Sequence, residues 1–185
     1  TGQMTAGTVD LSLLGDVKAA DVQLLSADGK PLAKLQQVQI RYNWNDLLKG
    51  RLGPQLIQAV TVEKPQIWVT YQQEQLNWDG FLKTKTESPS EFAGTVTLRD
   101  GELYLATDYL SQKLEQLSGS LDFQANSQIT LAAAGKIDQS AVKASGQWGT
   151  SGLLDLTVSA EKINLAKLEL TKADDPIQII KGTLD

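Results

Sequence analysis

Five carboxylates stand nearest the apolar runs of this sequence: Glu63, Asp108, Asp122, Asp155 and Glu161. A pair of carboxyls can act as general acid and base when a cleft holds both and pushes their pKa values apart. The spacing here singles out no such pair, and side chains solvated on the outer face of a fold are the better reading. The chain has neither histidine nor cysteine. Serine–histidine–aspartate triads, cysteine–histidine dyads, imidazole or thiolate metal sites and disulfides are therefore outside its reach. No phosphate-cradling glycine loop is present. The expectation is a chain that is not an enzyme and needs no cofactor and no metal.

Charge narrows the partners further. Seventeen Lys and Arg stand against 22 Asp and Glu, for a net charge of −5. The basic residues are scattered singly, which argues against nucleic acid as a partner. The four tryptophans, Trp44, Trp68, Trp78 and Trp148, read as packing or strand-surface residues. A membrane-facing role for Trp44 is the sharper alternative, because tryptophan favours interfaces. Ile67 and Trp68 are neighbours in one run, so only one of them can line a groove.

What remains to do work is apolar surface, and its period is two. Val9 and Leu11 alternate with polar neighbours, as do Val22 with Leu24, Val38 with Ile40, and Ile67 with Val69. After residue 90 the alternating positions are Leu98, Leu103, Leu105, Leu121, Phe123, Ile129, Leu131, Leu154, Leu156 and Val158. Each run predicts a strand with one apolar and one wet side, and the set from Val22 to Val158 is expected to share one surface. Asp28-Gly29 and Asp100-Gly101 read as hairpin turns. Lys64-Pro65 reads as a break, since proline is tolerated at a strand end or edge but not in mid-ladder. One segment departs from the pattern. Asn43 to Gly50 predicts a short helix capped by Asn43, docked through Trp44, Leu47 and Leu48 at i, i+3, i+4. Residues 163–170 fit a strand or a short helix, with strand then helix preferred.

The length suits one moderate domain or two small ones. The polar stretch Lys83 to Ser90 divides the chain into an N-terminal subdomain, 1–82, a linker, 83–90, and a β-meander, 91–185. A glycine–hydroxyl–aliphatic–polar–apolar echo at Gly7, Gly94, Gly119 and Gly182 suggests either a strand-based repeat or merely how strands begin.

Amphipathic strands must bury their apolar side. The fold class expected is all-β, mostly antiparallel, with one or two short helices. Its sheet is either an open amphipathic sheet curled into a groove or, alternatively, part of a closed β-sandwich. Small residues among the inward candidates, Ala133, Ala144 and Gly146, favour the groove, since a sandwich fills its layer with bulk. A groove for acyl chains needs little chemistry. Each methylene withdrawn from water contributes about 0.8 kcal/mol, so a chain of about sixteen carbons gains on the order of 10 kcal/mol.

The succession in the first half has a familiar order. Val22-Gln23-Leu24-Leu25 runs into Asp28-Gly29-Lys30-Pro31-Leu32, then comes Val38-Gln39-Ile40 and a helix ending Leu47-Leu48-Lys49-Gly50. Ile57 to Ile67, with Lys64-Pro65, leads to Leu76-Asn77-Trp78-Asp79-Gly80-Phe81-Leu82. This resembles the N-terminal part of the AsmA/TamB family. That family shows a Leu-Leu-x-Gly helix, a strand pair with proline, and a turn bearing glycine, tryptophan or asparagine. Here Asn77 and Trp78 precede the glycine, a departure from the family order. Gly94 to Gly119 looks like the strand repeat that follows in such proteins. The resemblance implies a β-taco lined with apolar residues, in the periplasm, in a parent anchored in the bacterial inner membrane. It implies phospholipid acyl chains as partner, in support of outer-membrane biogenesis. An Omp85-type outer-membrane barrel would be met through regions not present here, and the membrane through an anchor outside this fragment. The chain reads as an excised piece from soon after such an anchor. A non-catalytic scaffold or interaction module for outer-membrane protein assembly is the alternative function.

Overall fold

The computed structural model describes residues 2–12, 15–50, 53–79, 92–108, 110–124, 128–149, 154–161, 163–164, 169–170 and 183–184. The alternating runs form strands β1 (Gln3–Thr5), β2 (Thr8–Ser12), β3 (Asp16–Leu25), β4 (Pro31–Tyr42), β5 (Ile57–Gln72) and β6 (Gln75–Leu76). They continue as β7 (Gly94–Thr107), β8 (Leu110–Phe123), β9 (Ile129–Ile137), β10 (Ser140–Trp148) and β11 (Leu154–Ala160). Three two-residue strands follow: β12 (Ile163–Asn164), β13 (Glu169–Leu170) and β14 (Thr183–Leu184). All except β12 and β14 belong to one sheet, ordered β1-β3-β4-β5-β7-β8-β9-β10-β11. β2 also lies along β3, β6 along β5 and β13 along β8. Neighbours are antiparallel except β5 and β7, which run parallel. The fold is therefore all-β, an open curled sheet with a single short helix; it is not a closed sandwich.

The turns follow local chemistry. Asp28-Gly29 is a true hairpin turn: Ser26 N donates to Lys30 O at 2.9 Å, and Gly29 takes a φ of 78° that suits glycine. Ser26 Oγ also donates to the Asp28 carboxylate. Two further hairpins turn on residue pairs with positive φ, Gln73-Glu74 and Asp138-Gln139. These have the backbone signs of a type I′ turn without its usual Asn-Gly sequence.

Asp100-Gly101 is not a turn, and Lys64-Pro65 is not a strand end. Both lie inside continuous strands, β7 and β5. The reason is a phase slip that every long strand from β3 to β8 carries. Ala19 is followed by Val22, Leu35 by Val38, Val62 by Pro65, Leu98 by Gly101 and Leu114 by Leu117. Two residues separate each pair where strict alternation allows one. On four of the five strands a left-handed residue makes the correction: Asp21 (φ 52°), Lys64 (46°), Asp100 (51°) and Gln116 (53°). Each turns the chain so that the next apolar residue returns to the same side. The slips stand next to one another. Val22 pairs with Leu35, Leu35 with Pro65, and Gly101 with Leu117. A Cβ on Gly101 would come within 2.6 Å of Pro65 Cγ. At the edge, Gly7 separates β2 from β1 and donates its N–H to Ala20 O at 3.1 Å. The result is a crease running across the strands. Pro65, fully buried, is tolerated in mid-strand because the ladder is already interrupted there.

Ala133 faces the apolar side among small neighbours, Gly119 and Ala144, and is half-buried; Ala132 and Ala134 face the other way and are exposed. Ala132 and Ala134 line an open hollow on that other side with Thr97, Ser118, Ser120 and Ser145.

The short helix, α1, spans Trp44–Leu48, and the Asn43 side chain caps it by accepting from Asn45 N at 3.1 Å. Its docking differs from expectation. Leu48 is 69% exposed and no residue of the helix is buried. Trp44 instead sits 6.0 Å from the Tyr42 ring, and Asn43 N donates to Leu56 O at the end of a 3-10 turn, Pro54–Leu56. Glu169 and Leu170 are strand residues, not helix. Thr183–Leu184 pairs back onto Ile163–Asn164. Gly94 begins a strand whereas Gly119 lies in the middle of one, so the glycine echo does not mark equivalent positions. The polar stretch 83–90 lies outside the described residues.

Candidate functional site

Residues paired across neighbouring strands project to the same side of a sheet. Followed strand by strand, the pairings join the expected positions into two groups, one on each flank of the crease, which the phase slip turns toward the same side. Val22 and Leu24 come from β3, Val38 and Ile40 from β4, and Ile67 and Val69 from β5. Leu98, Leu103 and Leu105 come from β7, Leu121 and Phe123 from β8, and Ile129 and Leu131 from β9. Leu156 and Val158 hold the matching positions of β11; the side chain of Leu154 lies outside the described residues.

Two rows run edge to edge. One passes Val9, Ala19, Val38, Val62, Leu98, Gly119, Ala133, Ala144 and Val158. The next passes Leu11, Val17, Ile40, Val60, Val96, Leu121, Leu131, Gly146 and Leu156. Across the crease a third continues through Leu35, Pro65, Gly101 and Leu117, with Val142 farther along. Val22, Ala33, Val62, Pro65, Leu117 and Val142 on this side are each less than 10% exposed. Toward the edges the apolar side opens to solvent: Leu11 is 77% exposed and Val158 59%. Among the described residues no second sheet and no helix is stacked on this side. Phe92 lies against Phe123 at one end, rings 5.0 Å apart.

Glycines shape the same surface. A Cβ on Gly119 would come within 2.5 Å of Ala132 O, and one on Gly146 within 2.3 Å of Asp155 O. Backbone of the adjoining strand stands where a side chain would be, so only glycine lets the strands close in there.

The other side is mostly polar and internally paired, apart from Leu32, which is fully buried and lines a hollow with Trp68 and Leu76. Trp68 and Tyr104 are cross-strand neighbours with stacked rings 5.4 Å apart. Lys34 Nζ lies 6.0 Å from the Trp68 ring centre and Lys113 Nζ 5.4 Å from that of Tyr104. Glu102 joins them, accepting from Tyr104 Oη at 2.6 Å and Gln66 Nε2 at 3.1 Å, with Lys113 Nζ at 2.8 Å. The Lys113 ammonium, and then the Tyr104 phenol, hold the Glu102 carboxyl below its usual range. Ile67 thus faces the apolar side and Trp68 the polar one.

The carboxylates that opened the search are dispersed. Glu63 pairs with Arg99 at 3.2 Å, and Asp122 accepts from Thr95 Oγ1 at 2.6 Å. Asp108 accepts from Gln73 N at 3.2 Å, and Asp155 and Glu161 are exposed. Glu63 stands opposite Gln37 and Arg99, Asp122 opposite Thr95 and Thr130, and Asp155 opposite Gln147, so none of these three is the cross-strand neighbour of another.

Sequence reasoning missed Val62, Pro65, Leu117 and Val142 as members of the apolar side. The first three flank a phase slip, where alternation counted through a run loses its register. The apolar–polar–polar–apolar spacing repeated in β4, β5, β7 and β8 was the signal that marks them. The chain matches no family model, and neither a curated protein nor a solved structure is detectably similar to it.

Proposed function

We propose that the apolar side of this sheet shelters lipid acyl chains, and that the chain is a section of a bacterial envelope protein of the AsmA/TamB type. The observation that carries this reading is a continuous apolar surface running across the sheet, with no second layer packed on it among the described residues. Soluble proteins seldom leave so large an apolar area uncovered without a partner for it. A surface of this kind, with small residues in its middle rows, suits a flexible chain of methylenes that needs no placed polar group. The family reading rests on the ordered motifs from Val22 to Leu82. With it come a periplasmic location, a parent anchored in the inner membrane, a role in moving phospholipid toward the outer membrane, and an Omp85-type barrel as a partner met elsewhere in the parent.

Native mass spectrometry of the purified protein tests the lipid reading. Co-purified phospholipid, or uptake from vesicles, is the expected result. Leu131→Arg supplies the contrast. Leu131 is half-buried in the middle of the apolar side, and an arginine there can send its head group out to solvent. The variant is expected to stay folded and lose most bound lipid. A folded variant that keeps full lipid binding, or a native protein that takes up none, overturns the reading.

A further inference from the structure

The two edges of the large sheet are complementary. One edge is β2 and the other β11, and among the described residues neither has a strand on its outer side. Both end the same two apolar rows. Leu11 and Leu156 close one row; Val9 and Val158 close the other. All four side chains are at least 45% exposed. Strand directions agree as well. With one parallel pair among eight steps, β2 and β11 run in opposite senses. A second copy of the chain, placed beyond β11 in the same orientation, would therefore lay its β2 antiparallel to β11.

In that position Leu156 meets Leu11 of the next copy and Val158 meets its Val9, and both pairings belong to one antiparallel register. The polar side fits the same register. Ser159 comes opposite Thr8, Thr157 opposite Asp10, and Asp155 opposite Ser12, so no like charges oppose. A slip of two residues that sets Leu156 against Val9 would put Asp155 against Asp10, and that repulsion selects against it. A Lys or Pro set into the strand commonly guards an open edge, and β2 and β11 contain neither.

We infer that this chain associates head to tail, β11 of one copy pairing with β2 of the next in the register Val158–Val9 and Leu156–Leu11, so that the apolar face continues from copy to copy. Such a contact is heterologous, so repeated association gives a ring or a growing series of oligomers and not a symmetric dimer. The inference rests on strand register and is independent of what the apolar face binds.

Cysteine crosslinking tests it without background, because the chain has no cysteine. Val9→Cys and Val158→Cys are prepared as separate proteins, mixed and oxidised. Both sites are solvent-exposed, so the variants are expected to fold. Directly opposed strand residues lie close to disulfide geometry, and the mixed disulfide is expected to exceed that from Val9→Cys with Leu156→Cys by about tenfold. Sedimentation of the unmodified protein is expected to show mass rising with concentration through trimer and beyond, and Val158→Lys to return it to monomer. A preference for Val9–Val9 disulfides would mean symmetric edge pairing and overturn the inference. So would equal crosslinking in the two registers, or a monomer at all concentrations.

Discussion

Glu102 is the hub of the polar side, touched by Tyr104, Gln66 and Lys113. Its carboxyl is held below the ordinary glutamate value first by the Lys113 hydrogen bond and then by the Tyr104 phenol, while burial works weakly against them. A depressed carboxyl contributes stability above its unfolded pKa and loses it as pH falls through the folded value. Lys113 is raised, chiefly by Glu102 and Glu115, so its share is complete at neutral pH and is lost only in strong alkali. The Glu102→Gln variant should therefore melt below the parent at pH 7. The gap should stay constant down to about pH 5 and shrink below the unfolded glutamate value of about 4.3. Paired thermal melts from pH 7 to pH 3 check this; a gap that widens with acid would show that Glu102 acts through something other than its charge. Leu47 gives a second residue-scale case. It is half-buried on a helix with no buried residue, so Leu47→Asp should cost about 1 kcal/mol in a denaturant titration. A fully buried leucine would lose several times that.

At the scale of elements the crease is the organising feature. It lets five strands of 10 to 16 residues keep one apolar side although none alternates strictly from end to end. The left-handed residues that make it are Asp, Lys, Asp and Gln, not glycine, so each carries strain of roughly 1 kcal/mol. Asp100→Gly should relieve that strain and leave the protein as stable as before or up to about 1 kcal/mol more so. The same substitution at Thr97, in regular strand, should cost about 1 kcal/mol. Gly119 tests the opposite requirement. Gly119→Ala places a methyl against Ala132 O and Ala133 Cα, and overpacking of this kind costs about 1–3 kcal/mol. Urea titrations of the three variants give the order Asp100→Gly, Thr97→Gly, Gly119→Ala from most to least stable.

For the whole molecule, the decisive quantity is surface. The chain exposes 12872 Å². A compact chain of 20.1 kDa would expose about 8,700 Å². Among the described residues the large sheet is a single layer, with no second sheet or helix stacked on its apolar side. Unfolding then uncovers only about 80% of the area that a compact chain of this mass would uncover. The urea m-value should be lower in the same proportion, because m scales with the area exposed. Lipid bound to the folded state alone should raise the transition midpoint by mass action.

What the sequence by itself determined was the character of the elements: strands amphipathic by period two, a capped helix at Trp44–Leu48 and a hairpin at Asp28-Gly29. These follow from spacing within a strand, where the physics is local. The absence of histidine and cysteine likewise restricted the chemistry before any fold was known. The tertiary structure alone decided that Lys64-Pro65 and Asp100-Gly101 are points on one crease. Either dipeptide, read in isolation, has the residues of a turn; only pairing with the neighbouring strand keeps the chain extended through it. It also decided that β5 and β7 run parallel, and that Leu48 faces solvent while Val62 and Leu117 are buried. Burial depends on which strand lies alongside and on how the layer curls. Both are set by contacts between residues distant in sequence, such as Val38 with Val62 and Gly101 with Leu117, which spacing along one strand does not encode.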